Sequence, residues 1–162
     1  MSQANLDTRF ADFLNIFGTP AEVEAALMPV FLRDMVDHPC MHFNGKPIVY
    51  VRGPLDAQRA FNHLTKKEED GGRKYFDFDR AKRLHWVKYF LEKGLTKNKF
   101  WVFSYVHPKH GLRTYIYHKK LKFVVILEPS PNEYFLVSAF YVKGTGIESM
   151  EKKFANKLPN LM

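Results

Sequence analysis

The sequence has a single cysteine, Cys40, so no disulfide can form within the chain, which agrees with a reducing compartment. It has no apolar run near the ~20 residues a membrane-spanning helix needs, and its start, MSQANLDTRF, lacks the basic first segment and apolar centre of a signal peptide. The expectation is a cytoplasmic protein with no membrane partner. Internal repeats, low-complexity stretches and interdomain linkers are absent, so the 162 residues are read as one domain. There is no Gly-rich phosphate loop, no nucleophile elbow and no paired-cysteine zinc spacing. Gly144-Thr145-Gly146 is too short to replace the first of these. His38, Cys40 and His42 alternate along one run, but ligands drawn from one extended segment give poor tetrahedral geometry and no fourth is near. No metal and no cofactor is expected.

Acidic residues are scarce in one region only. Residues 1–58 hold four Lys/Arg against seven Asp/Glu, net −3, whereas 59–162 hold twenty-one against ten, net +11. Such a surplus fits an acidic partner: nucleic acid, an anionic membrane surface or an acidic protein. A membrane-surface protein would concentrate it on one amphipathic helix; here it is shared between two helices and several strands, which favours nucleic acid. Hydrophobic residues make up 46% and aromatics 15%, far too many for a disordered tail, so the charge sits on a folded core.

Apolar spacing puts helices first and strands later. Leu6, Phe10, Phe13, Leu14 and Phe17 recur at helical spacing until Gly18. Thr19 caps a second helix, with Pro20 at its first position and Glu22 in its first turn, running towards Met35 with a kink or break at Pro29. Asn44-Gly45 followed by Ile48-Val49-Tyr50-Val51 suggests a short hairpin or strand, closed by Gly53-Pro54. A third helix covers Leu55–Lys67, with Ala57, Ala60, Phe61 and Leu64 on one face, and the polar stretch Lys66–Gly72 follows it in solvent. A fourth runs from an Asp79 N-cap to about Lys93 with Gly94 at C′. Its two apolar stripes, Ala81/Leu84/Val87/Leu91 and Trp86/Phe90, predict that it is sandwiched and that Trp86 is buried. Beyond Gly94, the runs Phe100–Val106, Leu112–His118, Lys122–Leu127 and Tyr134–Val142 predict an antiparallel meander, and Met150, Phe154 and Leu158 a closing helix. The fold class expected is α+β: N-terminal helices, a four-stranded antiparallel sheet and a C-terminal helix.

Four places could carry chemistry. Arg59, His63 and Lys67 are spaced by four along the third helix; a His flanked by cations is pushed towards the neutral form that can accept a proton, although a solvated helix flank explains the same row. Arg83 lies on the Trp86/Phe90 side, where it is either a bidentate phosphate ligand or an ion pair bracing the helix against Asp77 or Glu92; Lys88 lies further along that helix. Strand alternation puts Arg113, Tyr115 and Tyr117 on one face, either a stacking surface for single-stranded RNA or a face covered by helices. Ser138, the small hydroxyl in Tyr134–Val142, is either a phosphate donor or bonded to backbone. His107 and His110, in a turn, fit no metal set.

Arg59-Ala-Phe-Asn-His63-Leu-Thr65, then Arg80-Ala-Lys-Arg83-Leu-His-Trp86, Phe123-Val-Val-Ile-Leu127 and Tyr134-Phe-Leu-Val-Ser138-Ala-Phe-Tyr141-Val resemble the phage and mobile-element nucleases of the barnase–EndoU–colicin–RelE superfamily. The resemblance covers about residues 55–143, leaving 1–54 as a helical extension and 144–162 as the C-terminal helix. It implies a metal-independent endoribonuclease of the toxin or host-takeover type, with His63 as acid/base, Arg83 on the phosphate and Ser138 in the final strand. Arg59, Lys67, Lys88, Arg113, Tyr115 and Tyr117 would bind RNA, such as tRNA or mRNA, and an immunity or antitoxin protein would be the cognate partner. A non-catalytic RNA- or DNA-binding module and an inhibitor of a nucleic-acid enzyme stand as alternatives; nothing in the sequence indicates an oligomeric state.

The charge asymmetry alone generates one expected outcome. Affinity for RNA should fall steeply between low and physiological salt, because phosphate contacts release counterions. A flat dependence in a filter-binding or fluorescence titration would remove the electrostatic argument for any nucleic-acid partner.

Overall fold

The computed structural model describes residues 5–53, 56–69, 72 and 75–162 of an α+β chain. These group into two compact units, Met1–Cys40 with Tyr50–Tyr89, and Met41–Val49 with Phe90–Met162. The helices of 57–89 group with the N-terminal residues, and the hairpin near Asn44 groups with the later strands.

The first unit is helical. Helix α1 (Pro20–Leu32) opens on a capping box, Thr19 Oγ1 accepting the Glu22 amide at 3.2 Å and Glu22 Oε1 accepting the Thr19 amide at 3.1 Å. These hydrogen bonds hold the Glu22 carboxyl below its usual range. Gly18 makes the box possible: its φ is +101°, and a Cβ there would stand 2.8 Å from Glu22 Oε1. The helix continues through Pro29, and the irregularity comes later, as a π turn at Arg33–Asp37 closed by the His38 amide on the Arg33 carbonyl (2.8 Å).

The helix expected over residues 6–17 is not formed; residues 7–19 are turns and irregular backbone. Their apolar side chains are spent on tertiary contacts instead. Phe10 stacks on Tyr89 (3.6 Å between centroids), Phe13 lies on Trp86 (5.9 Å), and the Leu14 amide donates to the Lys82 carbonyl (3.0 Å). Buried Asn5 donates to the Asn15 and Ala26 carbonyls and accepts the Asn15 amide. Arg33 clamps buried Asp34 with two N–H groups and donates a third to the Leu6 carbonyl. A short isolated helix is marginal, so these fixed contacts outweigh the spacing.

Helix α2 is Ala57–Thr65, burying Phe61 and Leu64. Pro54 and Leu55, where the preceding turn and this helix were expected to meet, lie outside the described residues, as do Asp70 and Gly71 of the polar stretch; Lys67, Glu68, Glu69 and Gly72 are exposed. The expected fourth helix is two: α3 (Phe78–Ala81), capped by the Asp77 carboxylate on the Arg80 amide rather than by Asp79, and α4 (Trp86–Lys93). The interruption has a visible cause, since Lys82 gives its carbonyl to Leu14 and the Trp86 amide turns to Arg83 (2.9 Å). Trp86 is buried, as expected. His85, also buried, donates its Nε2–H to the Arg9 (3.2 Å) and Asp12 (2.9 Å) carbonyls.

The second unit is a six-stranded mixed sheet, not a four-stranded antiparallel one, in the order β1-β2-β6-β5-β4-β3. Strands β3 (Phe100–His107), β4 (Gly111–His118), β5 (Phe123–Pro129) and β6 (Tyr134–Tyr141) form the expected meander. The addition is the hairpin of β1 (His42–Phe43) and β2 (Lys46–Val49), turned by Asn44 (φ +49°) and Gly45 (φ +79°), with β2 parallel to β6. Phe43 meets the Tyr134 ring edge-on at 5.4 Å and Asn44 Nδ2 donates to the Tyr134 hydroxyl, which gives this hairpin a reason to close that edge. Phe90 packs edge-on to Phe100 and Phe123 on one sheet face. Helix α5 (Thr145–Ala155) covers part of the other, with Met150 on Phe103, Tyr115 and Tyr117 and Phe154 stacked on Trp101 (4.2 Å). It stops before Leu158, whose amide joins the Ser104 carbonyl. Gly94 has no positive φ; it is needed for space, because a Cβ would stand 2.7 Å from the Phe90 carbonyl and 2.8 Å from Ile116 Cγ2. Among the described residues no helix is long and apolar enough to cross a membrane.

His85 generates a pH prediction. Burial, the largest cause, holds its pKa below 6.5, against the opposing pull of the two carbonyls. The unfolded chain therefore binds a proton first, and stability present above 6.5 is lost as pH falls through the lowered folded value. Thermal unfolding should show the parent losing stability between pH 7.5 and 5, and His85→Gln, which keeps a donor but cannot titrate, losing less. Equal losses would show that His85 is not protonated on unfolding.

Candidate functional site

Arg59 and His63 lie on α2, Arg59 exposed and His63 half-buried, but Lys67 does not extend their row: the helix ends at Thr65 and Lys66 is already extended, with φ −119° and ψ 155°. Arg80 donates to the His63 carbonyl at 2.7 Å, which fixes the end of α2. Lys88 is half-buried on α4. Arg83 is only 6% exposed. Its guanidinium lies over the Phe13 and Trp86 rings at 4.7 and 5.2 Å, donates to the Asp79 carbonyl and stands 3.9 Å from the Asp79 carboxylate. It braces its own helical turn against Asp79. A phosphate contact would require those interactions to be given up.

The remaining candidates belong to the second unit, and the sheet register brings them to one face. Tyr105 pairs with Arg113, Phe103 with Tyr115, Tyr115 with Ile126, and Ile126 with Ser138, so Tyr115, Ile126 and Ser138 form a row across three strands. The stacking surface expected from Arg113, Tyr115 and Tyr117 is corrected here. Tyr115 (2%) and Tyr117 (0%) are buried beneath α5 with Met150 and Val142, so neither ring offers a face to a base. The strand alternation was sound; what covers the face was decided by residues some thirty positions later.

What stays open is the β3–β4 hairpin end of that face. Arg113 Nη1 donates to Glu128 Oε2 across the strands at 3.2 Å and to the Leu112 carbonyl at 2.9 Å; the Arg113 side chain is 16% exposed and that of Glu128 44%. A shift of register between Ile126 and Leu127 lies beside this pair: Ser138 faces Ile126 and Leu136 faces Leu127, which leaves Val137 as the extra residue. Such bulges re-aim neighbouring side chains and recur next to active sites. Half-buried Tyr105 stands opposite Arg113, and two residues on His107 follows on the same side of β3. His107 Nδ1 accepts the amides of Lys109 (3.0 Å) and His110 (3.2 Å), so its proton sits on Nε2, and the two imidazoles lie 4.7 Å apart.

Electrostatics act on two of these groups in opposite senses. Burial pushes the Tyr115 phenol up to about 12, despite the opposing Arg113 charge, so it remains a neutral O–H at physiological pH. His107 is lowered, first by its partial desolvation and then by His110, Lys153, Arg113 and Lys109. Glu128, His107, His110 and Tyr105 were not selected from the sequence as site residues. The signal for Tyr105 was available, since alternation within Phe100–His107 puts Trp101, Phe103, Tyr105 and His107 on one side. Glu128 was hidden because its pairing with Arg113 depends on how β4 and β5 register.

Among the described residues no three His, Cys, Asp or Glu side chains come together as a metal set. No protein-family model matches the chain, and neither curated proteins nor solved structures include a match to it.

The position of Arg83 carries its own test. Arg83→Ala removes charge-assisted hydrogen bonds and ring packing together, and should cost about 2 kcal/mol in a denaturant titration. Unchanged stability would mean that the brace contributes nothing and that the guanidinium is available for another role.

Proposed function

We propose that the protein is a metal-independent endoribonuclease whose chemistry takes place at the Arg113–Glu128 end of the sheet. The observation that carries the reading is the cross-strand guanidinium–carboxylate pair, set on one face with a neutral phenol, a serine hydroxyl and a histidine pair. Cleavage by 2′-OH attack needs a base, an acid and fixed positive charge on the phosphorane, all available as side chains. Glu128 takes the 2′-hydroxyl proton as the 2′ oxygen attacks phosphorus. The bond from phosphorus to the 5′ oxygen breaks, and the exposed His110 of the hairpin returns a proton to that oxygen. Arg113 holds the equatorial oxygens, with Tyr115 and Ser138 as neutral donors. The products are a 2′,3′-cyclic phosphate and a 5′-hydroxyl. The superfamily resemblance and the +11 charge of residues 59–162 support an RNA substrate of this kind. A phage or mobile-element toxin, with an immunity protein as partner, is the biological setting the resemblance suggests.

His63 is a second reading for the base. The Arg80 hydrogen bond to its backbone and its half-buried ring give it a fixed position at the end of α2.

Pure protein incubated with total RNA in EDTA, followed by end mapping, tests the reading. The parent should leave cyclic-phosphate or 3′-phosphate ends. Glu128→Gln should cut about 10² to 10⁴ slower, as expected for loss of a general base, and Arg113→Ala should weaken both binding and cleavage. His63→Ala at the parent rate supports Glu128; slow cleavage by His63→Ala with normal Glu128→Gln moves the base to α2. Loss of activity with chelator would contradict the mechanism, and absence of cleavage by the parent would leave a binding module.

A further inference from the structure

At the end of the sheet opposite the β3–β4 hairpin, a row of lysines follows from topology. Phe100, His118, Phe123 and Tyr141 are successive partners across β3, β4, β5 and β6, so the residues flanking them share one rim. Lys99 precedes β3, Lys119, Lys120 and Lys122 make up most of the β4–β5 turn, and Lys143 follows β6; all five are exposed. The Val142 amide donates to the Lys122 carbonyl at 2.6 Å, which brings the Lys143 end of β6 against the turn. The turn itself is pinned: His118 accepts the Leu121 amide on Nδ1 (3.1 Å) and the Lys122 amide on its carbonyl (2.8 Å). Lys122 adopts a left-handed backbone (φ +54°) there, a conformation that costs a residue with a Cβ some strain. Lys99 and Lys120 stand close enough to His118 to disfavour its charged form, after burial as the main cause. Three segments distant in sequence therefore present their charges along one rim. Glu151 meets Lys119 at 2.9 Å and answers part of the charge.

We propose that this rim is a docking surface for the sugar–phosphate backbone of a nucleic acid. Four strand ends span roughly 15 Å at the usual interstrand spacing, so the array fits a linear polyanion rather than one phosphate group. Its cations are all lysines, mobile point charges suited to phosphate, with none of the planar guanidinium groups that read base edges. No sequence preference follows from it. An anionic membrane is less well served, because large apolar groups exposed beside the lysines are few: Leu95 is exposed, whereas Leu121 and Trp101, the latter beneath the Lys119 ammonium, are half-buried. The rim lies apart from the Arg113–Glu128 pair, and its binding role holds whether or not that pair cleaves RNA.

The test uses the whole chain and the triple variant Lys99→Gln/Lys120→Gln/Lys122→Asn, the asparagine chosen to tolerate the left-handed backbone and Lys119 left in place for Glu151. Binding of a single-stranded RNA oligonucleotide is titrated across salt, with Lys152→Gln/Lys157→Gln as a control for loss of charge elsewhere and thermal unfolding as a check on folding. The slope of log affinity against log salt should fall by about 2 in the triple variant, at about 0.7 per phosphate contact, with affinity at low salt falling at least tenfold; the control should lose less than half as much. Cleavage of a dinucleotide too short to span from the rim should be unchanged in the triple variant if the parent cleaves it, which separates docking from chemistry. Equal losses in the triple variant and the control, an unchanged slope, or stronger retention on phosphatidylserine vesicles than on RNA would overturn the proposal.

Discussion

Stacking of Phe154 on Trp101 at 4.2 Å, with Met150 beside it over Tyr115 and Tyr117, decides which part of the sheet is left to act. The meander presents aromatic side chains on the face that α5 covers, and an antiparallel sheet so apolar cannot leave both faces in water. Helix α5 buries the part of that face around Trp101 and Tyr117. Towards the β3–β4 hairpin the covering gives way to Tyr105, Arg113 and Glu128, and the polar groups gather there. The placement of the candidate site is thus a consequence of how one terminal helix is anchored.

The same economy governs the charges. Cations over residues 59–162 far outnumber anions, yet not all of them face solvent. Some are consumed as structure: Arg83 lies between rings and against Asp79, and Arg80 closes on the His63 carbonyl. Others stand at strand ends and turns, where their charge faces solvent. Counting basic residues gives the sign of the net field; only burial tells which of them face solvent.

Much of the second unit was legible in the sequence because its signals are local. Alternation marked the four meander strands nearly to the residue, Asn44-Gly45 marked the hairpin, and the two apolar stripes marked Trp86 for burial. The misses share a cause. The spacing of Leu6 to Phe17 is helical, but Phe10, Phe13 and Leu14 answer Tyr89, Trp86 and Lys82, and those partners lie about seventy residues away. The break before Trp86 arises from the same distant hydrogen bond. The addition of β2 alongside β6 is likewise non-local, since a short strand says nothing of the edge it will join. At the site, Arg113 and Ser138 could be picked from their chemistry, whereas Glu128 becomes visible only through its cross-strand hydrogen bond, and Tyr115 looks exposed until α5 is in place.

The central claim is that a substrate phosphate lies against Arg113 on the open end of this face. Titration of isotope-labelled protein with a 3′-nucleoside monophosphate, followed by amide and guanidinium NMR shifts, tests it without requiring turnover. The account predicts shifts concentrated at Tyr105, His107, Arg113, Glu128 and Ser138, saturating together with one affinity. Shifts confined to residues around His63 and Arg83, with the Arg113 guanidinium unmoved, would contradict it.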